Sequence, residues 1–314
     1  MNQIHTADIR TRPTYVKLYL NSELAKITQL HTLSYKMAYG KVRGISKPLC
    51  DIPARIFPVE SNASEARAAI LTIPVDFNAG DELDASLVKT LHDDFNEAID
   101  EGRTYPQEDI MDVETYKAYF MSYDLILGFI ITKAQLESLY TTSDVPALGV
   151  PLTASQLSSV KIGTSRIRAL KQSSASINLP NQADTYAFAY YIKPNYPGRS
   201  SHMCNGGFMV PSSTRGLGLG RIAARSFCFY APAVGYRGSV FNLVYASNEA
   251  SVKLWTKLGF SNVGRIPEAG RLKKADGNGE EYVDAWVVHG DFRKIGYRDN
   301  EEQGGVGVVN SSSS

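Results

Sequence analysis

The chain has 314 residues, 43% of them apolar and 21% charged, the make-up of a folded chain with one large domain or two ordinary ones, which excludes wholesale disorder. Lys and Arg number 33 against 32 for Asp and Glu, a net charge of +1, so no basic excess argues for non-specific nucleic-acid binding. The longest useful apolar run, Leu125 to Ile131, is far short of a membrane span. Asp8, Arg10 and Arg12 interrupt the start and no apolar stretch follows, so no secretory signal is read; a cytoplasmic location is expected, with a mitochondrial one as the alternative. Cys50, Cys204 and Cys228 are too few and too scattered for a disulfide framework or a structural zinc site, and His5, His31 and His92 have no metal-ligand spacing. No metal is expected.

Residues 1–70 mix apolar and charged positions without clear period and read as an N-terminal extension. Leu71 to Phe77 reads as a strand or extended segment that Pro74 confines to an edge or an irregular stretch. Leu87, Leu91, Phe95 and Ile99 repeat every four residues, which predicts a helix ended by Gly102. The acidic residues Asp81, Glu82 and Asp84 precede it, where a helix start favours negative charge. A second helix is predicted near Val113 to Tyr123, followed by the strand LILGFII.

Residues 134–183 change character: eight serines fall between 141 and 180, with Pro146, Pro151 and Pro180 as breakers. They read as a surface insertion, with a lid over the active site as the functional alternative. Tyr186 to Ile192 and Gly207 to Val210 read as strands, and Leu219 to Tyr230 as a helix. Val240 to Ala246 reads as a buried strand, and Asn248 opens a helix closed by Gly259. Strands near Phe260 to Arg265 and Tyr282 to His289 follow, and 296–314 reads as a disordered tail.

The segment Arg215-Gly216-Leu217-Gly218-Leu219-Gly220 lies between a predicted strand and a predicted helix. Alternating glycines there let an anion approach backbone N–H groups at a helix start. Position 221 is Arg, so the dinucleotide fingerprint G-x-G-x-x-G fails, and no Lys-Ser/Thr follows for a triphosphate loop. What remains, Arg/Gln-x-x-G-x-G/A, is similar to the pyrophosphate arm of the Gcn5-related N-acetyltransferase (GNAT) superfamily. Asn248-x-x-Ser251-x-x-Leu254-Trp255-x-x-x-Gly259-Phe260 resembles that superfamily's second motif, with Trp255 where a Tyr usually stands. An indole N–H has no useful acidity, so the thiolate is expected to leave without a protein acid.

A narrower resemblance, to the fungal proline-analogue N-acetyltransferases, rests on several segments. These are YIKPNYPGRSSHMCNGGF (Tyr191 to Phe208), RGLGLG, GYRGSVFNLVYASNEAS (Gly235 to Ser251), KLWTKLGF, GRTYPQ (Gly102 to Gln107) and IPEAGRL (Ile266 to Leu272). The resemblance implies an α/β GNAT fold over 71–295: a mixed, mostly antiparallel sheet with a splayed parallel pair that would hold the pantetheine arm. It implies a homodimer and direct acetyl transfer from acetyl-CoA to a small cyclic secondary amine such as azetidine-2-carboxylate or cis-4-hydroxyproline, a detoxifying role.

By that resemblance Asn205 binds the substrate and orients its nitrogen, and Asn242 and Leu243 meet its carboxylate. Asn248 and the glycine loop Arg215 to Arg221 hold acetyl-CoA, together with Phe208 and Val210. Met203 stands where the family has Asn. The pair Gly206-Gly207 is expected to form a bulge freeing N–H groups near Phe208 to Val210 for the thioester carbonyl. An acetyl-cysteine route through Cys204, with His202 as its activator, is the alternative chemistry. Transfer to another small amine and a non-catalytic coenzyme A-binding module are the alternative functions.

Overall fold

The computed structural model describes residues 49, 52–59, 69–75, 83, 85–131, 136, 149–152, 160–161, 177–178 and 186–295. The acidic residues Asp81, Glu82 and Asp84, most of 1–70 and 134–183, and the tail 296–314 lie outside the described residues.

Eleven strands are described: β1 Arg55–Pro58, β2 Ala69–Val75, β3 Asp124–Ile131, β4 Val150–Pro151, β5 Val160–Lys161, β6 Ile177–Asn178, β7 Tyr186–Pro194, β8 Met203–Met209, β9 Gly238–Tyr245, β10 Ser261–Lys273 and β11 Glu280–Asp291. Nine of these form one sheet in the order β10-β11-β9-β8-β7-β3-β2-β1-β4, while β5 and β6 pair separately. All neighbours in the large sheet are antiparallel except β8 and β9. The sheet therefore takes β1 from the first 70 residues and β4 from the serine-rich segment, where Arg55 Nη2 donates to the Gly149 carbonyl at 2.9 Å.

Helices cover both faces. On one face lie α1 (Ala85–Glu101) and α2 (Val113–Phe120). The predicted stripe Leu87, Leu91, Phe95 and Ile99 is buried there against Leu125, Leu127 and Tyr191. Gly102 ends α1 at φ 64°. On the other face lie α3 (Leu219–Ala233) and α4 (Glu249–Lys257), burying Phe227 and Trp255 against Tyr190 and Phe241. Burial of such side chains, at roughly 1.5–3 kcal/mol each, is the main term holding the layers together. A short helix, α5 (Phe292–Ile295), follows β11.

Two strand expectations are corrected. The strand containing Pro74 is interior, between β1 and β3. It tolerates proline because β1 pairs only with Ala69 to Thr72, so beyond Thr72 one side of β2 has no ladder to break among the described residues. The strand predicted as buried at Val240 to Ala246 is buried only in part: Asn242 and Leu243 are exposed, for a reason that the β8–β9 pair supplies.

Candidate active site

The parallel pair β8–β9 is joined at just two positions, Met203 opposite Gly238 and Cys204 opposite Ser239. Ser239 Oγ closes this short ladder by donating to the Cys204 carbonyl at 3.1 Å. From Asn205 onward the two strands part, and a wedge opens between them. That parting leaves Asn242 and Leu243 without a neighbour on the β8 side.

On its other edge β8 stays in register with β7 from Pro194–Cys204 to Ala189–Met209. No bulge occurs at Gly206-Gly207, contrary to the sequence expectation. The two glycines answer a packing need: a Cβ at Gly207 would lie 2.5 Å from the Tyr191 ring, and one at Gly206 would lie 3.0 Å from Phe227 and from the Tyr191 carbonyl. The free donors arise without a bulge. Asn195 N–H donates to the Met203 carbonyl at 2.8 Å, which makes Met203, Asn205, Gly207 and Met209 the positions bonded to β7. By strict alternation the backbone groups of Gly206, Phe208 and Val210 then face the wedge.

The same alternation sorts the side chains. Cys204 and Phe208 pack on the α3 side. Asn205 faces the α1–α2 side, directly across from Lys193 of β7. There three asparagines meet at the mouth of the wedge. Asn195 and Asn242 exchange amide hydrogen bonds, Asn195 Nδ2 to Asn242 Oδ1 at 3.0 Å and Asn242 Nδ2 to Asn195 Oδ1 at 2.7 Å. Asn205 Nδ2 donates to Asn195 Oδ1 at 3.2 Å, and Asn205 Oδ1 accepts from Gly206 N–H at 2.7 Å. Asn195 spends its oxygen and one N–H on its neighbours, while Asn205 keeps one N–H and one lone pair for a ligand. The structure thus joins two predicted residues through Asn195, which the sequence reading left without a role. Its signal was present in the family segment YIKPNY.

A second overlooked residue is Tyr105, whose hydroxyl donates to the Phe208 carbonyl at 2.8 Å. Its loop is clamped by α1: His92 Nε2 bonds the Met111 carbonyl at 2.8 Å, and Asn96 both donates to that carbonyl and accepts from Met111 N–H, each at 2.9 Å. From the far side β10 holds the same loop, Arg271 pairing with Glu108 at 2.8 Å and Lys273 N–H donating to the Gly102 carbonyl at 2.9 Å. GRTYPQ and IPEAGRL, far apart in sequence, are therefore one structural unit beside the wedge.

The glycine loop enters α3 with Gly216 at φ 81° and Gly218 at φ 77°, a left-handed backbone that glycine adopts freely. Gly218 is the N-cap and offers no side chain to the first turn of α3, while space beside Gly216, Gly218 and Gly220 is open. First-turn N–H groups facing open space suit a phosphate. Leu217 is exposed and Leu219 is buried in the core. The Arg215 guanidinium pairs with Glu101 of α1 at 2.6 Å, and Arg221 is half-buried in the first turn. Asn248 caps α4, its Oδ1 accepting from Ser251 N–H at 3.1 Å, which leaves its Nδ2 available. Trp255 is 5% exposed and its ring packs tilted against Phe241, centroids 4.4 Å apart, a packing role.

The acetyl-cysteine alternative has little support in this geometry. Cys204 is fully buried on the face away from Asn205, and burial raises its thiol pKa far above the ordinary value. His202 instead bonds the Arg199 carbonyl at 3.1 Å. Among the described residues no group of three or more His, Cys, Asp or Glu could hold a metal ion, and no helix is long and apolar enough to cross a membrane.

Asp94 lies on α1 with its Oδ2 buried and without a hydrogen-bond partner among the described residues. Burial, then the charges of Glu97 and Asp93, push its carboxyl up to about 6, against a pull from Arg215. An acid whose pKa is raised by folding binds more protons folded than unfolded, so its contribution falls as pH rises from 3.8 to about 6. Asp94→Asn is expected to raise the melting temperature at pH 7 and to lose that advantage at pH 4. Equal shifts at both pH values in thermal melts would contradict this account.

Residues 175–260 match the model of the Acetyltransferase (GNAT) family. The chain is 51% identical over 107 residues to N-acetyltransferase aca1 of Schizosaccharomyces pombe, covering 34% of this chain and 49% of that one. It is 27% identical over 202 residues to Protein SPT10 of Saccharomyces cerevisiae, covering 62% and 30%. The matches thus span half or less of these curated relatives. A GCN5-related N-acetyltransferase structure from Kribbella flavida is similar with a TM-score of 0.46 at 21% identity, over 70% of this chain and 97% of that one. An N-acetyltransferase from Staphylococcus aureus Mu50 gives 0.45 at 14%, over 71% and 98%. Residues 175–260, with the splayed parallel pair, glycine loop and capped second motif in place, are thus the segment that matches the Acetyltransferase (GNAT) family model, within a mixed, mostly antiparallel sheet.

Proposed function

We propose that the protein transfers acetyl from acetyl-CoA to the nitrogen of a small cyclic secondary amino acid, of the class of azetidine-2-carboxylate and cis-4-hydroxyproline. The observation that carries this reading is the Asn195–Asn205–Asn242 network at the mouth of the β8–β9 wedge. A site that only bound coenzyme A would need the glycine loop but not three linked amides beside the thioester position.

In this reading the pyrophosphate lies on the glycine loop and the first turn of α3, and Asn248 Nδ2 helps hold the cofactor. The pantetheine arm runs along Phe208 and Val210 in the wedge. The amine loses its proton to water and is aligned by the free lone pair of Asn205 Oδ1. Its nitrogen attacks the thioester carbonyl carbon as the C–O π pair moves to oxygen, where the Phe208 N–H meets the oxyanion. One such donor is typically worth about 3 kcal/mol in the transition state. Collapse re-forms the carbonyl and breaks the C–S bond, the nitrogen gives up its remaining proton to water, and the thiolate takes a proton from water. Aligning the two reactants supplies much of the acceleration. An amide cannot keep the proton, so Asn205 orients and does not act as the base.

The test is acetyl-CoA consumption, read as free thiol, with azetidine-2-carboxylate and cis-4-hydroxyproline as acceptors. Acceptor-dependent thiol release supports the reading; binding of acetyl-CoA with no release on either acid contradicts the substrate class. We also propose a homodimer. Val263, Ile266 and Tyr282, 60%, 41% and 67% exposed on β10 and β11, leave apolar side chains of this edge hairpin for a second copy to cover. Light scattering should then read twice 34.5 kDa, and a monomeric mass would refute it.

A further inference from the structure

Lys193 is the one residue opposite Asn205 in the β7–β8 register, yet neither the asparagine network nor the transfer chemistry uses it. Its side chain is half-buried. The ammonium lies 4.9 Å from the centroid of the Tyr191 ring and 5.5 Å from those of Tyr119 and Tyr123. Three ring faces compensate part of the lost hydration of a cation. They accept no conventional hydrogen bond along their edges, however, and an ammonium has three N–H groups to place. Among the described residues Lys193 has neither a carboxylate nor a hydrogen-bond acceptor, and burial alone lowers its pKa.

The surroundings make this a recognition site and not a stray charge. Lys193 and Asn195 are two apart on β7 and its continuation, so their side chains leave the same face of the sheet, the face on which Asn205 and Asn242 also meet. Residues bonded across an antiparallel pair have Cα atoms roughly 5.5 Å apart, so the Lys193 and Asn205 side chains start as neighbours. A small ligand whose nitrogen rests on Asn205 Oδ1 therefore has a ring-caged cation without a carboxylate on the directly opposed residue. The tyrosine cage keeps that cation from swinging to solvent.

We infer that Lys193 is the charge-recognising residue of the acceptor pocket, selecting an amine that carries a carboxylate. This rests on the transferase reading above and deepens it. The carboxylate takes the ammonium's unused N–H groups, with the free N–H of Asn242 beside it. Because Lys193 stands directly opposite Asn205, the acid group must sit on a carbon next to or near the reacting nitrogen. Lys193 is a specificity residue; the acyl transfer proceeds without it.

The experiment compares each acid with its own carboxamide. Azetidine-2-carboxylate and cis-4-hydroxyproline are assayed beside their primary amides, in the parent chain, Lys193→Met and Lys193→Arg, with melting temperatures to confirm folding. Losing a charge-assisted contact is expected to raise KM for the acids about 10- to 100-fold in Lys193→Met. KM for the amides and for acetyl-CoA should stay level, and Lys193→Arg should recover part of the acid preference. Calorimetric binding of the same acids and amides in the presence of coenzyme A gives a second readout without turnover. Equal losses for acid and amide, or unchanged acid binding in Lys193→Met, would overturn the inference while leaving the transferase reading intact. No thiol release by the parent on any of the four compounds would instead remove the proposed acceptor class. Binding would then decide the inference alone, and a parent that binds neither acid overturns it too.

Discussion

Asn205→Ala should lower kcat/KM for the acceptor by about 100-fold, the size of effect that follows when a reacting group loses its alignment, while KM for acetyl-CoA holds. The substitution removes three things together. The lone pair that orients the amine is lost, the donor to Asn195 Oδ1 disappears, and Gly206 N–H loses the oxygen that it bonds at 2.7 Å. None of these touches the glycine loop or Asn248, so binding of the nucleotide end should persist. Steady-state thiol release with the acceptor and acetyl-CoA varied in turn separates the two. A fall confined to the acetyl-CoA KM, or an acceptor kcat/KM within about threefold of the parent, would remove Asn205 from the acceptor site.

How far the sequence alone reaches this site depends on the range of the contact that makes each part. The α1 stripe was legible because Leu87, Leu91, Phe95 and Ile99 encode their burial within one helix, and the start of α4 because Asn248 caps within three residues. The glycine loop was legible for the same local reason. Two neighbouring glycines before a phenylalanine read as a bulge, by contrast, because the alternative lies outside the strand: the space at Gly207 is taken by the Tyr191 ring of the adjacent strand. The strand around Asn242 read as buried because its neighbours are Val240, Phe241 and Val244. Only the divergence of β8 from β9 after Ser239 exposes it. Asn195 and Tyr105 act through partners far away in sequence, and Lys193 through rings from α2, the turn after it and β7. Spacing along the chain carries no trace of such meetings. The resemblance to a known family marked the segments that hold these residues without saying what each does there.

Gly207→Ala tests whether the paired glycines serve packing. The added methyl would fall 2.5 Å from Tyr191 Cε1 and 2.7 Å from its Cζ, distances that real side chains do not tolerate. The Tyr191 ring has little room to retreat. It meets Phe120 edge-on at 5.1 Å and Tyr119 at 6.1 Å, and both belong to the helix that closes this face. Overpacking of this kind typically costs about 1–3 kcal/mol, or roughly 2–4 °C of melting temperature per kcal/mol in a domain of this size. Because Tyr191 also forms one wall of the Lys193 cage, the displaced ring should raise the acceptor KM while the acetyl-CoA KM stays put. A glycine kept for a bulge would behave differently: alanine would then disturb the N–H groups facing the wedge and strike the acetyl-CoA terms first. Tyr191→Leu, which removes the ring, should restore most of the stability lost by Gly207→Ala when the two are combined. If the double variant melts no higher than Gly207→Ala alone, the clash with Tyr191 is not what the glycine avoids.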